Sequence, residues 1–321
     1  MKAAVLHKFG ETPTYEDFPD PILSEGEILI HVKAVALENV DKAMAEGSHF
    51  ASRQFLSRLP AIVGFDGIGM LEDGRLVGFG GVKAPYGAMA EKTVIPQGYH
   101  VSVPEGVDAV TAAALPASAI TSLFPLKWGA KLQPGESVLI NGATGVSGKL
   151  AVQIAKLLGA GRVIGTGRNE ESIRQVKEFG ADAVIDLKQT DEKLMADFEK
   201  EAAEGYDVIL DFLWGRPTDL LIKTLVPSEI RVSKPVRLVQ IGEKAGATIS
   251  LSGDALRTSG LEICGGAAGF SPETMGEATN QVWEWLRANK LRMDIEQVPL
   301  KDIEMIWKST DFRGKRIVIV P

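Results

Sequence analysis

A strand, a glycine-rich loop and a helix follow one another directly in residues 133–159, and this stretch most limits what the chain can fold into. Residues 138–140 (VLI) form a short apolar run that is typical of a buried strand, and residues 133–135 (QPG) predict a turn before it. Apolar side chains then recur at helical spacing in residues 150–158, and Gly159 follows as a helix end. Such a unit offers free backbone N–H groups and the positive end of a helix to a diphosphate.

The loop between the strand and the helix, residues 142–148, reads GATGVSG and departs by one residue from the G-x-G-x-x-G pattern. Ala143 replaces the first glycine, whereas Gly145 allows the backbone to approach a pyrophosphate and Gly148 allows the helix to pack close to the strand. Small residues at these positions also occur where the fold requires only a tight turn. We favour nucleotide binding because further strand–helix units follow the loop.

Composition and charge describe a globular chain without a nucleic-acid surface. The 321 residues, 45% hydrophobic and 24% charged, suit two compact domains with a substantial core. The formal net charge of −7 argues against a nucleic-acid footprint, which needs a basic face. The first 16 residues contain no signal-peptide pattern, and we expect no apolar run of about 18 residues elsewhere. The single cysteine cannot form a disulfide within the chain, and we predict a soluble cytoplasmic protein with no membrane partner.

The first part of the chain, to about residue 117, predicts a strand-rich domain. Its strand-like runs are separated by turn residues, such as those at 19–21 (PDP), 72–74 (EDG) and 104–106 (PEG). The predicted strands lie at 3–6, 28–32, 61–65, 75–79 and 92–95, and short helices are predicted at 41–47 and 52–59.

From about residue 120 the pattern changes to alternating strands and helices, which predicts a parallel sheet covered on both faces. Strands are predicted to begin at Val138, Arg162, Ala183, Asp207, Val236 and Leu261, and helices to span 147–158, 170–179, 191–204 and 218–225. The fold class is therefore α/β, with a doubly wound parallel sheet whose glycine loop follows its first strand. A helix at 272–289 and a last strand at 315–320 follow, and we expect the last strand to return to the first domain.

The end of the second predicted strand indicates which nucleotide binds. An NAD site places an acidic residue about 20 residues past the glycines, to bind the ribose 2′-OH. Here that position is Gly167, followed by Arg168 and Asn169; a glycine leaves room for a 2′-phosphate, and a guanidinium offers it a planar fork. Alternatively, Asn169 caps the next helix with Glu170 and Glu171 in its first turn, and Arg168 is only solvated. We predict NADPH rather than NADH.

The residue types in the chain give little support for a metal site or for nucleophilic catalysis. One cysteine and four histidines, none paired at metal-ligand spacing, do not supply a zinc site, so no metal is predicted. The chain contains neither Gly-x-Ser-x-Gly nor a Tyr-x-x-x-Lys pair, and Ser147 is explained by the phosphate loop. Cys264 lies in an apolar strand, where a buried inert thiol is usual, although the carboxyl end of a strand also lies near a bound nicotinamide. We therefore assign no catalytic residue and expect the cofactor to carry most of the chemistry.

Several short motifs occur in an order and spacing that together carry a family resemblance. They are LENVD at 37–41 with Gly47, IVGFDG at 62–67, GAMAE at 87–91, ALP at 114–116 with Thr121, the loop at 141–148, and FRGK at 312–315. With these motifs the chain resembles the zinc-free quinone oxidoreductases of the medium-chain dehydrogenase/reductase superfamily over nearly its whole length. Residues 64–66 (GFD) stand where zinc alcohol dehydrogenases carry Gly-His-Glu, which agrees with the ligand count.

The resemblance implies a Rossmann domain beside a β-rich GroES-like domain that both chain ends build. The expected bounds are 1–120 for the GroES-like domain, 121–261 for the Rossmann domain and 262–321 for the return to the first. The resemblance also implies NADPH-dependent reduction of quinones or activated C=C bonds by a homodimer. The complete predicted cofactor-binding set is Asn39 and Thr121 on the nicotinamide side, Thr144, Gly145, Val146, Ser147 and Gly148 at the diphosphate, Gly167, Arg168 and Asn169 at the 2′-phosphate, and Ile241, Gly242, Glu243, Cys264 and Gly265 bordering the nicotinamide.

Three positions depart from the habits of the family. Ser172 stands where members often carry a lysine for the 2′-phosphate, Leu187 where a tyrosine lies near the adenosine, and Met89 where the usual motif has a tyrosine. The first two departures leave Arg168 as the main candidate for the 2′-phosphate. Our hypothesis is hydride transfer from NADPH to a quinone or an enone, with a proton from water or a pocket hydroxyl. The alternatives are a zinc-free reductase of another acceptor, such as an acyl thioester enone or an aldehyde, and an NADPH-binding sensor or structural protein with little turnover.

Overall fold

The computed structural model describes residues 1–202, 205–227, 234–310, 312 and 314–321. The chain forms two compact units: unit 1 comprises Met1–Ala117 and Asp294–Pro321, and unit 2 comprises Ser118–Met293. The predicted fold class, a parallel doubly wound sheet plus a β-rich domain built from both chain ends, is confirmed. Two predicted positions lie outside the described residues: Glu204, at the predicted end of a helix, and Arg313, in the C-terminal motif.

The N-terminal part of unit 1 consists mainly of short strands. Its elements are β1 (Lys2–Leu6), β2 (Thr14–Asp17), β3 (Glu27–Ala36), α1 (Asn39–Glu46), α2 (Ser52–Phe55), β4 (Ala61–Ile62), β5 (Gly67–Met70), β6 (Leu76–Phe79), β7 (Lys92–Pro96), β8 (His100–Ser102) and α3 (Ala109–Ala114). The strands β2, β5 and β8 were not predicted, because each has only three or four residues and lacks a clear apolar alternation.

Two predicted elements of this part are shorter in the structure, for local reasons. β4 ends at Ile62 because Gly64 adopts a φ of +90°, which turns the chain out of the extended conformation. The helix predicted at 52–59 ends at Phe55, and Pro60 disfavours helical backbone at the residue before it.

Unit 2 alternates strands with helices, and α4 leads the chain into it. Its elements are α4 (Pro116–Phe124), a π-helical turn (Pro125–Gly129), β9 (Ser137–Asn141), α5 (Val146–Leu157), β10 (Arg162–Gly167), α6 (Glu170–Glu178), β11 (Ala183–Asp186), α7 (Asp191–Glu201), β12 (Val208–Asp211), α8 (Gly215–Leu225), β13 (Val236–Gln240), α9 (Gly253–Thr258), β14 (Leu261–Gly265) and α10 (Pro272–Arg287).

The strands of unit 2 form one parallel sheet in the order β11-β10-β9-β12-β13-β14. Counted from β9 this order is 3-2-1-4-5-6, in which a crevice for a dinucleotide opens between the first and fourth strands. β9 and β12 are buried along their whole length, as expected for central strands with helices on both faces. At their carboxyl ends Asn141 pairs in register with Asp211. The topology therefore makes this pair of strand ends the candidate dinucleotide site.

The chain returns to unit 1 at residue 294, which corrects the predicted boundary at residue 262. β14 belongs to the parallel sheet, because it pairs with β13 from Val236 opposite Leu261 to Gln240 opposite Gly265. The following helix, α10, also lies in unit 2 and buries Ala278 and Val282 completely. The apolar pattern predicts that β14 is a strand, but not which sheet it joins.

The return segment consists of β15 (Ile295–Pro299), a 3₁₀ turn (Leu300–Asp302), α11 (Ile303–Lys308) and β16 (Arg316–Val320). β16 lies antiparallel beside β3, with Val318 opposite Ala36, so the predicted return of the last strand is confirmed. The larger sheet of unit 1 has the order β15-β16-β3-β5-β6-β8, with β7 also paired to β3, and β2-β1-β4 forms a second sheet. Buried apolar side chains from both chain ends share one core, among them Ile30, Val35 and Ile317.

One helical run, Ala109–Gly129, is long and apolar enough to cross a membrane by length and composition, with a mean hydropathy of 1.5. This corrects the expectation that no such run occurs. Within the protein 61% of the run is buried, as is also found for core helices of soluble proteins. Among the described residues no other helix meets these criteria.

Candidate functional site

The loop after β9 is a tight turn that requires glycine at two positions for different reasons. Gly142 has a φ of +94°, in the left-handed region that favours glycine. A Cβ at Gly148 would lie 2.2 Å from the carbonyl oxygen of Gly142 and 2.7 Å from Cα of Ala143, which is a direct clash with backbone. Only a glycine at position 148 therefore allows α5 to approach the end of β9 this closely.

Gly145 differs, because no packing within the described residues requires a glycine there. The atom nearest to an added Cβ is the carbonyl oxygen of Gly142, at an ordinary contact distance of 3.6 Å, and its φ of −75° suits any residue. Gly145 is the N-cap of α5, and as a glycine it supplies no side-chain cap to this helix. The open space at Gly145 and the first N–H groups of α5 therefore fit a diphosphate.

The start of α5 is held in place by a residue that sequence reasoning missed. Ser122, buried in α4, donates its hydroxyl proton to the carbonyl oxygen of Ser147 at 2.8 Å. Thr121 next to it is exposed, and Val146 and Ser147 are half-buried. Small hydroxyl residues are common in helices, so the sequence contains no signal that distinguishes Ser122.

Four fully buried polar side chains, which we call the strand-end network, join the ends of β9, β10 and β12 to α8. Asn141 donates from Nδ2 to Oδ1 of Asp211 at 3.0 Å and to Oγ1 of Thr218 at 3.2 Å. Thr166 donates to Oδ1 of Asn141 at 2.9 Å and accepts the N–H of Gly142 at 2.9 Å. Thr218 donates to Oδ2 of Asp211 at 2.5 Å. Polar residues at the ends of apolar strands are a signal that could have identified three of the four.

Asp211 also organises the backbone beyond β12. Its Oδ1 accepts the N–H groups of Leu213 at 2.9 Å and Trp214 at 3.0 Å. Trp214 has φ +54° and ψ −164°, a strained conformation for a residue other than glycine. The carbonyl oxygen of Asp211 accepts the N–H groups of Ile241 at 2.8 Å and Gly242 at 3.1 Å. This one residue therefore connects the loop after β12 with the segment after β13.

Gly167 has a packing reason that the sequence did not predict. A Cβ at this residue would lie 2.2 Å from Cγ2 of the half-buried Thr144, so the side chain of Thr144 packs against this glycine. Asn169 accepts the N–H of Ser172 at 3.0 Å as the N-cap of α6, which is the alternative role considered for it. Arg168 is exposed and forms no ion pair with any described residue, and its contact with a 2′-phosphate stays a prediction.

The segment predicted to border the nicotinamide begins directly after β13. Ile241 and Gly242 are half-buried and Glu243 is exposed. A Cβ at Gly242 would lie 2.7 Å from the carbonyl oxygen of Phe212, so this glycine allows the segment to lie against the loop after β12. The structure thus brings residues 241–243 to the same edge of the sheet as the glycine loop.

Cys264 and Gly265 are the last two residues of β14, and they are half-buried and exposed, respectively. Burial raises the pKa of the Cys264 thiol, and the nearby Glu262 carboxylate raises it further. The thiol is therefore protonated at neutral pH and is a poor nucleophile. This agrees with assigning no catalytic role to the cysteine.

Asn39 is the one predicted cofactor-binding residue in unit 1, where it is exposed at the first position of α1. Beside it, Glu38, Asp41 and Arg316 form a polar cluster in which Asp41 and Arg316 are buried. Oδ2 of Asp41 accepts the N–H of Glu38 at 2.8 Å. Arg316 of β16 forms an ion pair with Glu38 at 3.1 Å and donates to the carbonyl oxygen of Leu37 at 3.2 Å.

Asp41 and the nearby Asp66, which is exposed, have raised pKa values. Burial raises the pKa of Asp41 well above its usual range, the Glu38 and Asp66 carboxylates add to this, and the Glu38 N–H and Arg316 oppose it. The pKa of Asp66 is raised to about 6, first by the surrounding protein and then by Glu38, with Arg316 opposing. The Asp66 side chain still reaches solvent, which reduces the effect of its titration on stability. Asp41 is the group whose ionisation the folded protein resists.

We expect the Asp41→Asn variant to gain stability relative to the wild type as the pH rises above about 4, the ordinary pKa of an aspartate side chain. The pKa of Asp41 is higher in the folded protein than in the unfolded chain, so the native state binds more protons between these two values. The free energy of unfolding of the wild type therefore falls as the pH rises through that window. Asparagine stays uncharged and keeps an oxygen for the Glu38 N–H. Urea unfolding at several pH values measures the difference.

A matched control is Glu46→Gln, which removes an exposed carboxylate from the last turn of the same helix. Its difference from the wild type should vary little with pH. A stability difference between Asp41→Asn and the wild type that stays constant over this range would contradict the prediction.

Across the described parts of the chain, no three His, Cys, Asp or Glu side chains come together as a metal site. Glu38, Asp41 and Asp66 thus do not form a ligand set. Arg316, which approaches from β16, pairs with Glu38 and partly opposes the rise in the pKa values of Asp41 and Asp66.

Comparison with known proteins agrees with this geometry. The family profile described as zinc-binding dehydrogenase matches residues 147–226, which include α5 to α8. An NAD-dependent alcohol dehydrogenase of Sulfolobus acidocaldarius is 27% identical over 305 residues, covering 84% of this chain and 85% of the relative. A trans-enoyl reductase of Aspergillus terreus is 27% identical over 299 residues, covering 86% of this chain and 80% of the relative. The quinone oxidoreductase of Thermus thermophilus, whose crystal structures include a complex with NADPH, has a TM-score of 0.77 at 26% identity and covers 100% of both chains.

Three features define a two-domain oxidoreductase with a dinucleotide fold. They are a sheet of order 3-2-1-4-5-6, a glycine loop that gives α5 a glycine N-cap, and a β-rich unit that both chain ends build. The chain belongs to the medium-chain dehydrogenase/reductase superfamily and is similar to its quinone reductases.

Proposed function

We propose that this protein is an NADPH-dependent oxidoreductase that reduces a quinone or the activated C=C bond of an enone without zinc. The uncapped N-terminus of α5 behind Gly145, at the switch point of the sheet, is the observation that carries the proposal. The full-length similarity to a quinone oxidoreductase crystallised with NADPH supports both the cofactor and the acceptor class.

In this proposal the chain binds and orients, and NADPH supplies the hydride. The loop Thr144 to Gly148 holds the diphosphate with backbone N–H groups. Residues 241–243 and 264–265 would border the nicotinamide, with Thr121 also on its side. Such positioning is worth up to about 7–11 kcal/mol when two reactants are well oriented. Water or a hydroxyl in the pocket supplies the proton.

Oxidation of NADPH with a panel of acceptors tests the function. We expect the nicotinamide absorbance to fall when a quinone or an enone is added to enzyme and NADPH, and not when either is omitted. Turnover of neither class would contradict the proposed activity. NADPH binding without turnover of any acceptor would favour a sensor or structural protein.

A second candidate is reduction of the C=C bond of an acyl thioester, and the similarity to the Aspergillus trans-enoyl reductase favours it. Both reactions send a hydride to the electron-poor carbon of a conjugated system. Acceptors that differ only in a thioester or a ketone beside the same double bond distinguish the two candidates by their kcat/KM values.

Arg168→Ala should weaken NADPH binding roughly tenfold or more and change NADH binding little. Arg168 is exposed at the end of β10 and makes no ion pair within the described chain, so its guanidinium is free to contact a 2′-phosphate. Fluorescence titration with each cofactor measures the two Kd values.

Arg174→Ala is the matched control, because Arg174 is exposed on α6 and its removal deletes the same charge farther along that helix. It should reduce NADPH affinity much less. Equal losses of NADPH and NADH affinity in Arg168→Ala would contradict a specific contact with the 2′-phosphate, and so would no loss of either.

We also propose a cytoplasmic homodimer that has small-molecule substrates and no nucleic-acid or membrane partner. β14 is an edge of the sheet of unit 2, and Ile263 on this strand is 36% exposed, which leaves an apolar strand edge available to a second copy. Light scattering during size-exclusion chromatography measures the mass in solution. A monomer at micromolar concentration would contradict the dimer.

A further inference from the structure

The strand-end network satisfies its buried polar groups completely. Both Nδ2 protons of Asn141 and both threonine hydroxyl protons have acceptors. Asp211 accepts four hydrogen bonds, two from side chains and two from backbone N–H groups. Because a buried polar group without a partner is costly, each member restricts the position of the next.

The network lies where the glycine loop and the nicotinamide-side segment both begin. At one end, Thr166 accepts the N–H of Gly142, the first residue of the glycine loop. At the other, Asp211 holds the N–H groups of Leu213 and Trp214 through its side chain. The loop after β12 then accepts the N–H of Ala245 at the carbonyl oxygen of Leu213, at 2.7 Å.

The backbone at Trp214 and Gly215 is a second, independent indication that surrounding contacts impose this geometry. Trp214 adopts a positive φ that a residue other than glycine disfavours, and the next residue, Gly215, has a φ of +59°. A Cβ at Gly215 would lie 2.7 Å from the carbonyl oxygen of Ala245, so the two segments are in tight contact. Strain of this kind persists only where surrounding contacts determine the conformation.

We propose that Asn141, Thr166, Asp211 and Thr218 are positioning residues that hold the glycine loop and the segment at 241–245 in register and thereby set the affinity for the dinucleotide. The inference rests on the proposed function, because it assigns the network to the NADPH site. The network touches no ligand itself; it acts through the backbone of the two segments. Its loss should therefore weaken binding by a folded protein, beyond any loss of stability.

Thr218→Val tests the proposal, with Thr218→Ser as the conservative variant and Thr224→Val as the control. Valine keeps the shape of threonine but removes the donor to Asp211 and the acceptor for Asn141. Thr224 lies on the same helix, and among the described residues its hydroxyl bonds only the carbonyl oxygen of Leu221. The Kd values for NADPH and for 2′-phospho-ADP-ribose, which lacks the nicotinamide, are measured well below the melting temperature of each variant.

We expect Thr218→Val to raise the Kd for NADPH roughly tenfold and the Kd for 2′-phospho-ADP-ribose by less, with Thr218→Ser and Thr224→Val close to wild type. A lower melting temperature with unchanged Kd values would overturn the proposal, since the network would then be structural only. Equal losses for both ligands would overturn the coupling to the 241–245 segment. If Thr218→Val does not fold, Thr166→Val and Thr166→Ser make the same comparison from the other end. Failure of the wild type to bind any nicotinamide nucleotide would overturn the proposed function, and this inference with it.

Discussion

Gly148→Ala is expected to abolish detectable NADPH binding and to destabilise the protein by about 3 kcal/mol. The added Cβ would lie 2.2 Å from the carbonyl oxygen of Gly142 and 2.9 Å from the carbonyl carbon of Ala143, and backbone cannot move aside as a flexible side chain can. Alanine gains only about 1 kcal/mol over glycine from helix propensity, so the clash dominates. Either α5 would move away from β9 or the glycine loop would be displaced, and each change would distort the proposed diphosphate site. Urea unfolding and fluorescence titration measure the two effects.

Gly145→Ala provides the contrast within the same loop. Its Cβ meets nothing closer than 3.6 Å, so the free energy of unfolding without ligand should fall by only about 0.5–1 kcal/mol, the usual cost of alanine at an N-cap. NADPH affinity should still fall, because the methyl group would occupy the space in which the diphosphate approaches the backbone. If Gly145→Ala bound NADPH as the wild type does, the diphosphate would not lie where we place it. If Gly148→Ala were as stable as Gly145→Ala, the packing argument would fail.

Asp211→Ala is expected to cost about 4 kcal/mol of stability, the second large effect. The substitution leaves four donors without their acceptor: the buried Nδ2 of Asn141 and hydroxyl of Thr218, and the half-buried N–H groups of Leu213 and Trp214. Hydrogen bonds to a charged or strongly polar buried group are worth about 1.5–3 kcal/mol each, and they do not add fully because water enters the cavity. The strained turn at Trp214 also loses its support. Denaturant unfolding, with the slope checked against the wild type, measures the loss.

Asp186→Ala is the matched control for this change. Asp186 also ends a strand of the same sheet, but it is half-buried, and from the described part of the chain its side chain accepts only the N–H of Lys188, at 2.9 Å. Its removal should cost less than about 1 kcal/mol. Similar losses for the two variants would mean that burial and the number of donors do not determine the role of Asp211.

Much of the fold was predictable because its signals are local. The apolar runs at 138–140 and 162–166 and the helical spacing between them correspond to β9, β10 and α5 to within one or two residues. The six strand starts in unit 2 were all found within one residue, since buried parallel strands are continuous apolar runs. The short strands β2, β5 and β8 carry too few residues for a period to be visible.

The site was predictable in part. The glycine pattern predicts the diphosphate position. The structure shows that the two glycines serve different purposes: Gly148 allows close backbone packing, whereas Gly145 leaves open space. The role of Gly167 at a 2′-phosphate stays a prediction, and the structure adds a packing reason for this glycine, because a Cβ there would lie 2.2 Å from Cγ2 of Thr144. That contact joins residues from two loops, and no spacing rule relates them. The role of Arg168 stays a prediction, since its exposure agrees with a phosphate contact without testing it.

The sequence by itself determined where glycine leaves backbone N–H groups accessible and where apolar surface must be buried. These features are the turn, strand, glycine loop and helix at 133–159, and the strand–helix alternation that makes the sheet parallel. Only the tertiary structure decided which side chains meet. It placed β14 in the sheet of unit 2 and joined Asn141, Thr166, Asp211 and Thr218 into one network. The reason is that periodicity and glycine follow from interactions within a few residues. Strand order and register follow from the packing of the whole unit, so a partner 70 residues away along the chain has no local signature.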